Sequence, residues 1–440
     1  MRRIIILTGI LLLSTLSSRA QTHPDSLRHG GTLQDCIAYA LSHQPQVRAS
    51  LVDEDIADRV ILGKIADWLP QVNLTVNAQH SPQLPVAIVA GGPISQGLTN
   101  SSNILFTASQ TLFSRDVLLA SSSAGDVRAY ARQRTSSARI DVVVNVSKAY
   151  YAILATEQQI ALLDEAVVRL DQSYKDAFTK YNGGIVDNTD YMRALIALNN
   201  VKAERNQARE LLSARFSAMK EEMGYPGEGT LDLTIDSSAT AIDALIDTTQ
   251  NVRYENRIEY QLLQTGKRLQ EDNLHYAAWS FIPTLSLFGG YTINYQNNLL
   301  PALYNQKYPS SYVGIQLTLP LFEGGKRIQQ IRQAQLQVDR FDFDLQSLTS
   351  SINTQCATAL ANYKGSLNSY TVLTQNLQLA QQVYRTIQLQ YNAGTKSYLE
   401  FITAETDLRA AQANRITALY QLLVSKLDLE KALGTVSYQP

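Results

Sequence analysis

The sequence has few of the features that mark a disulfide-stapled, nucleic-acid-binding or helical membrane protein. Its 440 residues include only two cysteines, Cys36 and Cys356, which is too few for a disulfide framework and predicts two buried helix residues. The formal net charge is −1 and there is no basic block, so nucleic acid is not an expected partner. No apolar stretch reaches eighteen residues, and the sequence therefore predicts no transmembrane helix.

Chemistry-bearing motifs are also missing. The five histidines do not have the spacing of metal ligands, and neither a Ser/His/Asp set nor a phosphate-binding loop is present. We therefore expect no enzyme, no cofactor and no metal site.

The first twenty residues have the pattern of a secretory signal peptide. Arg2 and Arg3 precede a short apolar run from Ile4 to Leu13, and Ser18-Arg19-Ala20 fits a cleavage site. We therefore expect residues 1–20 to be removed and the mature protein to leave the cytoplasm.

What the sequence does contain is a series of landmarks that occurs twice, about 210 residues apart. Lys180–Gly184 returns as Gln390–Gly394 (394 − 184 = 210), and Met223–Gly224 returns as Leu433–Gly434 (434 − 224 = 210). Landmarks that keep their order and offset predict a duplicated unit. We expect a first repeat at 21–224, an equatorial connecting segment at 225–250 and a second repeat at 251–440.

Four segments alternate apolar and polar residues with the period of two that is typical of β-strands. By itself this alternation favours a soluble sheet whose apolar face packs inward. The alternative is that several chains share one closed barrel, with apolar residues toward lipid and polar residues toward water. In the barrel, the lipid-facing residues are Val72, Leu74, Val76, Ile104, Phe106, Leu285, Leu287, Ile293, Ile315 and Leu317.

Very long helices favour the barrel. Arg115 to about Tyr181, and again Lys326 to about Tyr391, have helical apolar spacing and no proline, and some 65 residues make a helix of roughly 100 Å. Return helices are expected at 190–222 and 398–432, and an opening helix at 32–67 that Pro45 breaks or bends. Strands at one end of such helices have no evident soluble core to cover.

The chain resembles the TolC-like outer-membrane efflux proteins, or outer-membrane factors, over nearly its whole mature length. The resemblance rests on the opening helix from Leu33, a proline before each first strand, and Leu-Pro-Leu-Phe-Glu-Gly-Gly at 319–325. It also rests on two tip turns, each with a glycine, an acidic residue six positions on and an alanine four further. These are Gly184, Asp190 and Ala194, and Gly394, Glu400 and Ala404.

The resemblance implies a mixed α+β membrane protein of the Gram-negative outer membrane. Three internally duplicated chains would form a 12-stranded β-barrel continuous with a long periplasmic α-helical barrel. It also implies a passive export channel whose partners are outer-membrane lipid, a periplasmic adaptor protein and an inner-membrane pump. Two alternatives stay open: a periplasmic coiled-coil adaptor or scaffold, and a type I polypeptide secretion channel.

Two interpretations of the tip residues remain open. The glycines fit helix C-caps, and Asp190 and Glu400 fit charges at the start of the return helices. Alternatively, the tips meet at a pore constriction, where three copies of each carboxylate favour cations. In that case Tyr391 and Lys396 are expected to pair with Asp190 of a neighbouring copy.

Overall fold

The computed structural model describes residues 31–89, 91–234, 246 and 252–438. The predicted signal peptide at 1–20 lies outside these residues, as does much of the expected connecting segment at 225–250. The elements in chain order are α1 (Leu33–His43), α2 (Pro45–Ala66), β1 (Gln71–His80), β2 (Val86–Val89), β3 (Gly92–Ser95), β4 (Asn100–Phe113), α3 (Arg115–Asn182), α4 (Asn188–Met223), α5 (Ile258–Ala278), β5 (Thr284–Asn297), β6 (Lys307–Thr318), α6 (Lys326–Asn392) and α7 (Tyr398–Leu433).

The helices follow the predicted pattern. The four long ones, α3, α4, α6 and α7, begin and end within two residues of the expected positions. The opening helix is broken into α1 and α2, with Pro45 at the first position of α2, where its missing N–H leaves no hydrogen bond unmade. No helix in the described ranges is long and apolar enough to cross a lipid bilayer.

Strands β1, β4, β5 and β6 form one antiparallel sheet in that order. Leu74 lies opposite Phe106, and Leu287 lies opposite Ile315. Because residues directly opposite each other share a face, the register places all ten predicted apolar positions on the same face. The region expected to be a loop from Ser81 onward also contains the short hairpin β2–β3, which the sequence analysis did not predict.

The chain forms a layer that is four elements wide along its length. Next to the sheet, α2 packs on α3, α3 on α5, and α5 on α6. Farther from the sheet, α4 packs on α3, α3 on α7, and α7 on α6. Helices α3 and α6, with 68 and 67 residues, therefore run through both helical levels over roughly 100 Å.

Two glycines end the return helices in matching surroundings. Gly224 follows α4 with φ +64° and Gly434 follows α7 with φ +71°. A Cβ on Gly224 would lie 2.9 Å from the His43 carbonyl oxygen, and one on Gly434 would lie 2.7 Å from that of Asn256. Only glycine combines this backbone conformation with so close an approach, so each glycine docks a return helix against the start of α2 or α5.

The two cysteines lie in separate apolar clusters. Cys36 packs with residues of α1, α3 and α4, and Cys356 packs between α6 and α7. Both are buried and unpaired, which confirms the prediction that they are core residues.

The two connections from strand to long helix differ. Ser114 caps α3, its Oγ accepting from the Val117 amide at 3.4 Å. Before α6, Gly324 and Gly325 instead adopt φ values of +59° and +85°. A side-chain cap thus replaces a glycine turn in the first half.

Candidate gate at the helical tips

The tips lie at the ends of α3 and α6 farthest from the sheet, and both turns have the same geometry. Gly184 follows α3 with φ +69°, and Gly394 follows α6 with φ +76°. In each turn the amide of the next residue donates to a carbonyl five residues back, at 2.9 Å. These hydrogen bonds satisfy helix-end carbonyls and reverse the chain within a few residues, as expected for glycine C-caps.

The two acidic residues occupy the same position but have different partners. Asp190 and Glu400 are the third residues of α4 and α7. Glu400 accepts from the amide and hydroxyl of Ser397, both at 3.0 Å, and from Lys396 Nζ at 2.5 Å. Lys396 and Ser397 together lower the pKa of Glu400 to about 2. Asp190 has no hydrogen bond or salt bridge among the described residues, so its carboxylate is available to another group.

Lys396 and Tyr391 have partners within the same chain. Lys396 pairs with Glu400 inside one turn. The Tyr391 hydroxyl accepts from Lys180 Nζ at 3.3 Å, and this ammonium also lies 4.4 Å from the centre of the Tyr391 ring. Tyr391 therefore joins α6 to α3, the two long helices of the chain.

The two alanines of the tip motif are packing residues. Ala194 is completely buried and Ala404 is 5% exposed. They belong to one apolar cluster with Ala177, Tyr384 and Phe401, among other residues of α3, α6 and α7. Their small side chains let the two helical hairpins of the chain lie against each other just behind the turns.

A buried ion pair, which the sequence analysis missed, links the hairpins behind this cluster. Arg169 of α3 donates from Nη2 to Oε1 of Glu405 on α7 at 3.0 Å, and the Glu405 side chain is only 3% exposed. The second oxygen of Glu405 has no hydrogen-bond partner among the described residues. Burial and the nearby Glu405 carboxylate raise the pKa of Tyr384 to about 12.

Two further polar links flank the pair. The hydroxyls of Ser173 and Tyr398 lie 3.1 Å apart, and burial is the main cause that raises the pKa of Tyr398 to about 12. Nearer the surface, Arg409 donates to Glu204 at 3.0 Å. The hairpins are thus joined by several polar links in addition to the apolar cluster.

A groove with a mixed polar and apolar lining lies on the surface between α3 and α6 near the tips. Its volume is about 640 Å³, and both charge signs line it, with Lys175 and Asp176 on α3 and Gln388 on α6. Tyr384 and Tyr391 add aromatic surface. This mixture of amides, charges and rings differs from the mainly apolar lining that is typical of small-molecule sites.

At the other end of the chain, the apolar face of the sheet is exposed. Val72 is 70% exposed, Leu74 57% and Ile315 68%. The only two tryptophans lie where helices meet the sheet: Trp68 donates to the Leu112 carbonyl at 3.3 Å, and Trp279 precedes β5. Tryptophan is enriched at membrane–water interfaces, so this arrangement suits a sheet in lipid with its helices in water.

Known proteins resemble the chain throughout its length. The profile of the family described as outer membrane efflux protein matches residues 36–224 and 239–435. The outer membrane protein TolC of Vibrio cholerae is 23% identical over 91% of this chain and 90% of its own length. The proteases secretion protein PrtF of Dickeya chrysanthemi is 23% identical over 100% of this chain and 93% of its own. The outer membrane channel CmeC of Campylobacter jejuni has the same fold, with a TM-score of 0.71 and 18% identity over 92% of this chain and 85% of that one.

Proposed function

The chain belongs to the outer membrane efflux protein family, and on that premise we propose that three copies form a passive exit duct. The chain is a TolC-like protein of the Gram-negative outer membrane. In the proposal, the duct receives cargo from an inner-membrane pump and carries it across the periplasm and the outer membrane. The pump supplies the energy, and the chain supplies the passage.

The observation that carries the proposal is the open layer, four elements wide from end to end. Its edges are β1 and β6 in the sheet, α2 and α6 beside the sheet, and α4 and α6 toward the tips. Edge strands carry unpaired backbone groups, and these groups cannot remain unpaired in lipid. Pairing β6 of one copy with β1 of the next removes both edges of the four-stranded sheet, and three copies give twelve strands.

Apolar side chains along both helical edges support the same closure. On α2 and α6 they are exposed in the single chain, although most surface positions around them are polar. Exposed apolar residues of this kind mark an interface. They are Leu51, Val52, Ile56, Val60, Leu62 and Ile65 on α2, and Ile328, Leu336, Phe343, Val372, Leu379, Val383 and Leu389 on α6.

Within each copy, we propose two structural repeats, 21–224 and 251–440, joined at the equator by 225–250. Both halves contain a helix, a strand pair, a long helix, a glycine turn and a return helix. The matching positions of Gly224 and Gly434 support this division, because each docks a return helix against the start of α2 or α5 in the same way.

The tips are proposed as the gate and as the contact with the adaptor. Asp190 has no hydrogen bond or salt bridge with the described residues of its own chain, so it can bind a cation of a neighbouring copy when three tips converge. Lys396 on the second tip is the proposed cation, and it would then exchange its Glu400 partner for Asp190. The adaptor would bind the groove between α3 and α6 and shift the equilibrium between closed and open tips toward an open aperture.

Native mass spectrometry of the protein extracted from outer membranes tests the assembly. We expect a species of three copies that dissociates on heating. A well-folded monomer inserted in the membrane would contradict the proposal.

A second candidate is the same duct in a type I polypeptide secretion system. It is supported by the similarity to PrtF, which covers the whole chain. Co-purification of the adaptor and the pump would distinguish the two. The alternative of a periplasmic adaptor or scaffold is set aside, since the family profile spans both halves of the chain and describes outer-membrane proteins.

A further inference from the structure

Formal charge is almost absent from the two segments that contain the sheet. From Trp68 to Ser114 there is no Lys, Arg, Asp or Glu, and from Trp279 to Phe322 there is only Lys307. In the whole chain 18% of residues are charged, and charged residues lie directly beside the first segment at both ends and beside the second at its C-terminal end. The absence is therefore a property of the sheet and of the connections at its far end.

Contact with lipid explains why charges are missing from one face of the sheet, but not from the other. A charge facing lipid at the membrane centre costs about 2–4 kcal/mol, so the apolar face must be free of charge. The opposite face has no such cost, because the proposed duct fills that side with water. Lys307 does not belong to the opposite face: it pairs in register with Tyr295, on the apolar face, at the strand end farthest from the helices.

The face opposite the apolar one consists mainly of amides and hydroxyls. Asn77 and Asn103 hydrogen-bond across β1 and β4 at 3.1 Å. Most of the remaining positions have the same chemistry. They are Gln71, Asn73, Thr75, Gln79, Ser101, Thr107, Ser109, Thr111, Thr284, Ser286, Thr292, Asn294, Gln296, Ser310, Gln316 and Thr318.

The other side chains on this face are also uncharged. The rings of Phe288 and Tyr312 lie over Gly314 and Gly290, where a Cβ would come within 2.7 Å and 2.5 Å of the ring atoms. Both rings therefore lie against the backbone of the neighbouring strand, on the polar face of the sheet.

We propose that the outer-membrane part of the duct is a charge-neutral, hydrogen-bonding passage that admits cationic, anionic and neutral polar cargo alike. The inference rests on the proposed function, which makes this face the water-filled one. Fixed charges in a narrow passage attract one sign of charge and repel the other, and this wall has none. Charge selectivity then resides in the helical part of the duct, where Asp190 and Glu400 supply carboxylates.

The test measures the electrostatic potential at the polar face of the sheet. Thr75→Cys places a thiol on the polar face, and two methanethiosulfonate reagents of similar size, one a quaternary ammonium and one a sulfonate, are added from outside. The native cysteines are buried, so the parent protein should not react. We expect the ratio of the two rates to match that of a small free thiol. A preference beyond about tenfold for either sign would overturn the inference, since a nearby fixed charge has effects of that order.

Two matched variants separate the possible failures. Adding Thr107→Asp to Thr75→Cys places a carboxylate on the neighbouring strand of the same face and should shift the ratio several-fold toward the cationic reagent. Leu74→Cys, on the lipid face, should react with neither reagent. If Leu74→Cys reacts and Thr75→Cys does not, the apolar face and not the polar face lines the water-filled passage. That result would contradict both the proposed barrel and the inference. Asn294→Cys on β5 repeats the measurement at a second wall position.

Discussion

Replacing Arg169 with methionine should loosen the two hairpins near the tips, because it leaves the Glu405 carboxylate buried without a cation. Removing one partner of a buried ion pair costs about 3–5 kcal/mol. The Arg169 side chain is 29% exposed, so water relieves part of this cost, and we expect a cost below that range, about 2–3 kcal/mol. Arg169→Met combined with Glu405→Met should cost much less, since the only carboxylate among the described residues that loses its cation is then Glu165, whose side chain is 70% exposed.

Hydrogen–deuterium exchange of the intact protein in detergent measures this effect on the tip helices. A cost of 2–3 kcal/mol in local opening corresponds to roughly 30- to 150-fold faster exchange in Arg169→Met. The matched control is Arg409→Met, which removes a cation from Glu204, whose side chain is 51% exposed. That pair is worth about 0–1 kcal/mol, or less than about fivefold in exchange. Equal acceleration in Arg169→Met and Arg409→Met, or in the single and double Arg169 variants, would refute the reasoning.

Three further comparisons test the sheet and the turns. Leu74→Arg should cost about 2–4 kcal/mol and reduce the assembled protein in membranes, whereas Thr75→Arg should have little effect; equal tolerance contradicts the barrel. Gly224→Ala should lower the melting temperature more than Gly184→Ala, because both have positive φ but only Gly224 also places a Cβ against backbone atoms. The pKa of Glu400 is lowered from 4.5 to about 2, so its carboxylate stabilises the tip turn above pH 4.5 and this contribution is lost as the pH falls toward 2. The difference in tip exchange between the parent and Glu400→Gln should follow that range, and a difference that disappears already near neutral pH would refute it.

The long helices were predictable because their apolar spacing is long and nearly uninterrupted. Between Arg115 and Tyr181 there is no proline and only one glycine, Gly125, so helical periodicity had no competing signal. The strand faces were predictable for the same reason, with period two. Hairpin β2–β3 was missed because its residues lie among prolines and glycines that are typical of loops.

The tip turns were predictable from local signals, whereas the contacts between hairpins were not. A glycine after a helix and an acid at the start of the next are read directly from neighbouring residues. Glu405 did offer a signal, since it lies on the same stripe as the apolar residues Phe401, Ala404 and Leu408 of α7. Its partner Arg169, however, lies 236 residues away along the chain, and helical periodicity carries no information on such pairings.

Conductance in planar lipid bilayers tests the central claim, that the chain alone forms a water-filled duct with a gate at its tips. The purified parent protein should insert and give small, discrete conductance steps. Asp190→Ala combined with Lys396→Ala should give larger steps, because the polar links that narrow the tips are removed. Protein that assembles normally in outer membranes but gives no conductance in either form would contradict the duct, and identical steps in both forms would contradict the gate.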